Sequence, residues 1–278
     1  MSSYVKKHGE VIPLETRQLI AKRYHTVTKE INREFWNAPN DDTSNSFYVG
    51  SYGRGTAIDT SDIDILVSLP EAEYKKYTYT TYNGQSRLLQ AVRSALKETY
   101  PRSDIKADGQ VVKIDFSDGM KFEILPAFKH VSFGYGGGSS FQSSYTYPDS
   151  NMGGNWKSTN PKAEQEAMKE KNLSTKGLLL DTCKHIRYIR DNFFSSYHLS
   201  GIVIDSFVYM AMGEWQWVDT PNPNSQFIPG TYEKVLYDFA KKFEGWNGIS
   251  LLAPGSNQNV DMTKSYDCLL KVLAYMIK

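Results

Sequence analysis

A chain of 278 residues with 40% hydrophobic content can bury one large core or two smaller ones, and its formal net charge of +1 supplies no general drive toward nucleic acid or membrane surfaces. No segment approaches the roughly 18–20 apolar residues of a membrane helix, and Met1 leads into polar residues rather than an apolar leader, so a cytoplasmic protein is expected. Cys183 and Cys268 sit inside apolar patterns and read as reduced core thiols, while the five His are scattered, which argues against a Cys/His metal cluster.

In chain order, Ile20, Tyr24, Val27, Ile31 and Phe35 recur at helical spacing between Pro13 and Trp36, and Pro13 suits the first turn. A loop over Asn37–Asn45 leads into a short strand, Ser46–Val49, and then into the glycine-rich turn Gly50-Ser51-Tyr52-Gly53-Arg54-Gly55-Thr56. Ile63–Leu69 reads as a buried strand ended by Pro70, and Thr81–Tyr100 as a helix closed by Pro101. Val111–Phe116 and Lys121–Phe128 form a hairpin about Ser117-Asp118-Gly119. Gly134–Trp156 reads as a long Gly/Ser/Tyr-rich loop, of a length that points to function or disorder. Beyond Pro161 the character turns helical, over Ala163–Lys171, Leu178–Phe194, Ile202–Trp215, Tyr232–Phe243 and Ser265–Ile277, with a turn-rich break at Asp219–Gly230. The predicted architecture is α+β, with a mixed α/β domain over 1–165 that includes the N-terminal helix and an α-helical domain over 166–278.

The chemistry concentrates at Asp62-Ile63-Asp64. Side chains alternate along a strand, so Asp62 and Asp64 point one way and Ile63 and Ile65 the other. Paired carboxylates repel unless a cation separates them, and a hard divalent ion, Mg²⁺ or Mn²⁺, prefers oxygen ligands. An isolated Asp-x-Asp is more often a turn cap or an ion-pair partner. Here it follows a Gly-Ser turn at short range inside an apolar strand, where an unpartnered charge is costly. Asp115 and Glu123, on the two arms of the hairpin, compete as a third carboxylate; Glu123 lies between Phe122 and Ile124, whereas Asp115 lies near the turn, where polar residues are routine. Gly50, Ser51, Gly53 and Gly55 are either a flexible loop or a backbone that approaches phosphate closely, with Ser51 as a donor. No Gly-Lys-Ser/Thr follows, which excludes a Walker A loop. Lys184 lies on a basic helix, where a charge is usually just solvated but can instead neutralise a triphosphate.

The Gly50-Ser51 turn and Ser61-Asp62-Ile63-Asp64 together resemble the signature of the polymerase-β-type nucleotidyltransferase superfamily. Lys121-Phe122-Glu123-Ile124-Leu125-Pro126-Ala127-Phe128 resembles the third-carboxylate strand of oligoadenylate synthases and their bacterial relatives. Tyr147-Pro148-Asp149 through Trp156 to Asn160-Pro161, and Cys183-Lys184-His185, resemble further stretches of the bacterial members. The combination is similar to the bacterial cGAS/DncV-like nucleotidyltransferases of cyclic-oligonucleotide antiphage defence. That resemblance implies a polymerase-β-like palm, a mixed sheet with flanking helices, joined by a long N-terminal helix to a helical domain that closes the cleft. It implies two Mg²⁺ or Mn²⁺ ions on Asp62, Asp64 and Glu123, and a donor triphosphate held by Gly50, Ser51, Thr56, Lys184 and Ser206. The third position departs from the family's usual Asp, since Glu123 is longer by one methylene.

The implied reaction is attack of an acceptor ribose hydroxyl on the α-phosphate of a donor NTP, with ATP, GTP or pyrimidine NTPs as substrates, pyrophosphate released and a cyclic di- or oligonucleotide as product. A regulatory partner protein or infection cue is expected from the resemblance alone. The acceptor base needs a platform, which either the Tyr-rich loop, through Tyr145 or Tyr147, or the helical half is expected to provide. Two other readings remain at this level: a transferase acting on a tRNA end, a protein or a small-molecule hydroxyl, and an inactive nucleotide-binding relative. The near-neutral charge speaks against a tRNA substrate, because phosphate contacts need basic surface.

Overall fold

The computed structural model describes residues 5–7, 11–59, 62–80, 82–133, 141–217, 231–244 and 250–278. The turn-rich segment expected at Asp219–Gly230 and part of the loop expected from Gly134 therefore lie outside the described residues. The chain divides into a sheet unit (Pro13–Gly53 and Ser61–Asn160) and a helical unit (Met1–Ile12, Arg54–Thr60 and Pro161–Lys278). The boundary falls at Pro161, and the short segment after the glycine turn belongs to the helical unit.

The sheet unit opens with α1 (Leu14–Trp36), which starts behind Pro13 and stops at Asn37 in the left-handed conformation, φ 53°. Ile20, Val27 and Ile31 form its buried stripe, as the spacing predicts. The same face buries Asn32, whose amide donates to the carbonyls of Asp41 and Ser44 while its own oxygen accepts from Asn45, so the 37–45 loop is tied to the helix. There follow β1 (Ser46–Tyr48), the single turn α2 (Gly50–Gly53), β2 (Ile63–Ser68), α3 (Glu71–Lys75) and α4 (Gly84–Thr99). The strands β3 (Asp104–Asp108), β4 (Val111–Asp115), β5 (Lys121–Phe133), β6 (Phe141–Asp149) and β7 (Asn155–Thr159) complete the unit.

Five strands run in the order β1-β2-β5-β4-β3, with β2 parallel to β5 and the other neighbours antiparallel. β5 then leaves this layer and pairs from Phe128 onward with β6, which pairs with β7. Pro126, which has no N–H for a ladder, lies beyond the end of the β4 pairing and before the β6 pairing begins. α1 and α4 pack together and against the sheet, and Ile63, Ile65, Phe122, Ile124, Ile114 and Leu88 are buried. A smaller apolar cluster of Val49, Leu66, Ala127 and Tyr145 completes the interior of the unit.

The long loop expected over Gly134–Trp156 is corrected by β6 and β7. The aromatic and β-branched residues of Gln142–Tyr147 find cross-strand partners, and such pairing overrides a Ser/Gly-rich composition. β3 and α3 are further elements that the periodicity does not reveal, because each is too short to show one.

The helical unit contains α5 (Pro161–Ser174), α6 (Leu178–Phe193), α7 (Gly201–Ala211), α8 (Tyr232–Lys241) and α9 (Tyr266–Met276). Leu179, Ile186, Ile204, Phe207, Leu236, Leu269 and Leu273 lie in one core cluster. Cys183 and Cys268 are free thiols buried in that core, and burial pushes the Cys183 thiol far above its ordinary value.

Candidate active site

The parallel pairing of β2 with β5 sets Asp64 directly opposite Glu123. Their neighbours Ile63, Ile65, Phe122 and Ile124 are at most 2% exposed, so the two carboxylates share the opposite, accessible side of the sheet. Asp62 immediately precedes β2 and is exposed. Asp115 pairs with Lys121 on β4 and is separated from β2 by the whole width of β5, so the register sets Glu123, not Asp115, beside Asp64.

The glycine turn is built around Asp64. Val49 N–H donates to the Asp64 carbonyl at 2.8 Å, and Gly53 N–H closes the turn on the Val49 carbonyl at 2.8 Å. Gly50 has φ +58°, and a Cβ placed on it would stand 1.8 Å from Asp64 Oδ2. Only glycine satisfies both demands, the left-handed backbone and the space taken by the carboxylate. Ser51 follows on the same turn, partly exposed.

On the other side of Glu123 stands Lys113, its register partner on β4. Lys113 Nζ lies 3.3 Å from Glu123 Oε1 and 2.8 Å from Asp108 Oδ2. The Asp108 hydrogen bond, and then the Glu123 charge, raise the Lys113 ammonium above its ordinary value. Among the described residues no three His, Cys, Asp or Glu side chains converge as a ready-made metal cage. The donor set nevertheless suits a hard divalent ion. It consists of carboxylates only, two of them in register on one accessible side, and the missing side chain of Gly50 lets the Asp64 carboxylate lie against the turn.

Thr56 does not face solvent. It is 0% exposed, and its hydroxyl donates to Asp205 Oδ2 at 2.9 Å inside the helical unit. Burial alone would push the Asp205 carboxyl up, but the Arg187 and Arg54 guanidiniums outweigh it and hold the group below the usual carboxylate range. Arg187 makes paired contacts at 2.7 and 3.0 Å, and Arg54 Nε lies 2.8 Å away. Arg54 also pairs with buried Glu164 at 2.9 Å. Burial, opposed by Arg54, leaves the Glu164 carboxyl raised. Thr56 thus belongs to a structural clamp rather than to an open nucleotide surface, which corrects the expectation for it. The signal for the clamp is present in the sequence: Asp205 is a lone charge in the apolar run Gly201–Ala211, and such a charge needs a buried partner.

Lys184 and Ser206 also belong to the helical unit. Lys184 is partly buried on α6. Ser206 on α7 is 0% exposed, and its hydroxyl has no hydrogen-bond partner among the described residues. Tyr145 is 2% exposed and packs its ring against Phe47, so it is core rather than a base platform. Tyr147 is only partly buried against the same cluster.

A parallel β2–β5 pair carrying facing carboxylates, fed by a glycine turn, is the layout of a polymerase-β-like nucleotidyltransferase. The family model for the Second Messenger Oligonucleotide or Dinucleotide Synthetase domain matches residues 2–172. The chain belongs to that family, a class of nucleotidyltransferases that includes the cyclic nucleotide synthases. It is 28% identical over 237 residues to a probable cyclic nucleotide synthase of Bacillus cereus (strain VD146), covering 78% of this chain and 68% of that one. Its fold matches the CdnE cyclic dinucleotide synthase of Elizabethkingia meningoseptica with GTP and Apcpp at a TM-score of 0.60, with 16% identity over 98% of this chain and 93% of that one. It also matches the CD-NTase CdnG of Bradyrhizobium diazoefficiens in complex with GTP, at a TM-score of 0.62 and 12% identity over 96% of this chain and 85% of that one. The CdnC:HORMA-deltaN complex of E. coli MS115-1 matches at a TM-score of 0.60 and 13% identity, over 96% of this chain and 84% of that one.

Proposed function

We propose that this protein joins NTPs, ATP among them with GTP or a pyrimidine NTP as the other substrate, into a cyclic di- or oligonucleotide that signals in antiphage defence. The observation that carries the site assignment is the register of Asp64 opposite Glu123 beside the side-chain-free Gly50. Asp62, Asp64 and Glu123 are the residues that would hold two Mg²⁺ or Mn²⁺ ions. Bound there, such ions supply charge neutralisation at the attacking and leaving oxygens. Gly50 and Ser51 hold the donor triphosphate, by close backbone approach and a hydroxyl donor. Lys184 adds a point charge. The acceptor ribose oxygen bonds to the α-phosphorus, the bond to pyrophosphate breaks, and the hydroxyl proton goes to Glu123. Positioning accounts for most of the acceleration. A second transfer within the linear product closes the ring. The HORMA complex of the E. coli relative supports control by a partner protein.

The test is a product assay. Purified protein is incubated with all four NTPs and Mg²⁺ or Mn²⁺, treated with phosphatase and read by mass spectrometry, beside the D62N/D64N variant. Phosphatase-resistant cyclic products from the wild type alone are expected. A nucleotide joined instead to an added tRNA, protein or small hydroxyl compound would overturn the cyclase reading, and equal turnover by the double variant would overturn the site.

A further inference from the structure

Three side chains stand in one row across three strands. Asp64 on β2 is in register with Glu123 on β5, and Glu123 is in register with Lys113 on β4. Glu123 therefore has a like charge on one side and an opposite charge on the other. Its carboxylate is engaged by the lysine, with Oε1 3.3 Å from Nζ, and no three-ligand cage is assembled among the described residues. Lys113 holds a second and shorter contact, 2.8 Å to Asp108 Oδ2. If Glu123 turned toward a cation beside Asp64, the ammonium would keep Asp108 and would not be left unpaired.

A plain cross-strand ion pair would need only Lys113 and Glu123, and exposed pairs of that kind contribute little to stability. What sets this one apart is the placement of a cation with a fallback partner next to the carboxylate that must change partners. The side chain of Glu123 is 28% exposed and that of Lys113 40% exposed, so the pair is open enough to exchange. The extra methylene of Glu also has a use here, since a longer arm reaches either neighbour across the strand spacing.

We propose that Lys113 is a positioning residue for Glu123: its ammonium occupies the third carboxylate in the metal-free protein and must be displaced before a divalent cation is bound. The proposal rests on the reading of Asp62, Asp64 and Glu123 as metal ligands. Lys113 then sets the cation concentration at which the site fills, and Asp108 receives the lysine when it is displaced.

The experiment is Mn²⁺ binding to the nucleotide-free protein, followed by calorimetry and by the loss of the free-ion paramagnetic resonance signal, for wild type, K113M, K113R, D64N, E123Q and K113M/E123Q. K113M keeps the aliphatic stem and removes the charge. It is expected to bind Mn²⁺ about three- to tenfold more tightly, the scale of removing one unit charge several ångströms from a half-exposed site. The gain should shrink as ionic strength rises, while K113R stays near wild type. In the E123Q background, K113M should give much less of this gain, because its partner is gone. E123Q and D64N binding Mn²⁺ as well as wild type would overturn the metal-ligand reading itself. E123Q weakening Mn²⁺ while K113M stays within about twofold of wild type would overturn the role of Lys113 and leave that reading standing. Circular dichroism identifies any variant that fails to fold, and K113R then supplies the comparison: weaker or tighter Mn²⁺ binding by K113R than by wild type, beyond about twofold, would also count against simple charge pairing.

Discussion

Replacing Asp205 with Ala removes the acceptor on which two buried guanidiniums depend. Asp205 is 0% exposed and accepts from Arg187 at 2.7 and 3.0 Å, from Arg54 at 2.8 Å and from Thr56 at 2.9 Å. In D205A, Arg54 keeps Glu164 and Arg187 keeps the Gly201 carbonyl at 3.0 Å, so neither is stripped bare, but one buried positive charge loses its counter-charge. Breaking a buried pair from one side costs about 3–5 kcal/mol. At about 2–4 °C per kcal/mol for a unit of this size, the midpoint of the helical unit should fall by about 10 °C. Thermal unfolding followed by circular dichroism measures the midpoint, and urea unfolding followed by tryptophan fluorescence measures the free-energy loss. The carboxyl's folded pKa lies below its ordinary 3.8, so its contribution is complete above that value and is lost only as pH falls through the folded pKa. The gap between wild type and D205A should therefore be flat across neutral pH and close in acid. The quadruple variant R54M/E164Q/R187M/D205L, with no charge left in the cluster, should recover most of the loss. A D205A cost below about 1 kcal/mol would refute the clamp, because that is the scale of a single surface pair.

Other outcomes follow from the same geometry. G50A forces a Cβ to within 1.8 Å of Asp64 Oδ2 on a backbone at φ +58°, so turnover should fall about 100-fold or more, the effect of about 1 Å of misplacement, while the protein stays folded; unchanged turnover would mean that Asp64 does not act where it stands. E164Q removes a carboxyl whose folded pKa is raised above 4.5. A raised folded pKa favours the protonated group, so wild type should lose stability relative to E164Q as pH climbs from 4.5 through that pKa; a difference that grows with pH instead would reverse the assigned direction.

The longer helices were readable because each carries enough turns for a 3.6-residue apolar period to show, as Ile20, Val27 and Ile31 do on α1. The carboxylates were readable for a similar reason. Asp64 lies between Ile63 and Ile65 in a strand, and Glu123 lies between two apolar residues that turn inward. β6 and β7 were not readable, because their Ser- and Tyr-rich residues become strand only when each has the other to pair with. Tyr145 shows the same limit: an aromatic in a polar stretch resembles a platform until Phe47 is found against its ring.

The sequence by itself determined the chemistry of the candidate donor set, because that depends on residue type and on neighbours a few positions away; the need for glycine at 50 came from the packing of its turn on Asp64. Tertiary structure alone set Glu123, not Asp115, opposite Asp64, moved Thr56 from the expected phosphate site into a buried clamp, and set Lys113 beside Glu123. Each of those outcomes rests on the register of strands or the packing of helices far apart in the chain. Local spacing says which face a residue presents, and only the partner strand says what that face meets.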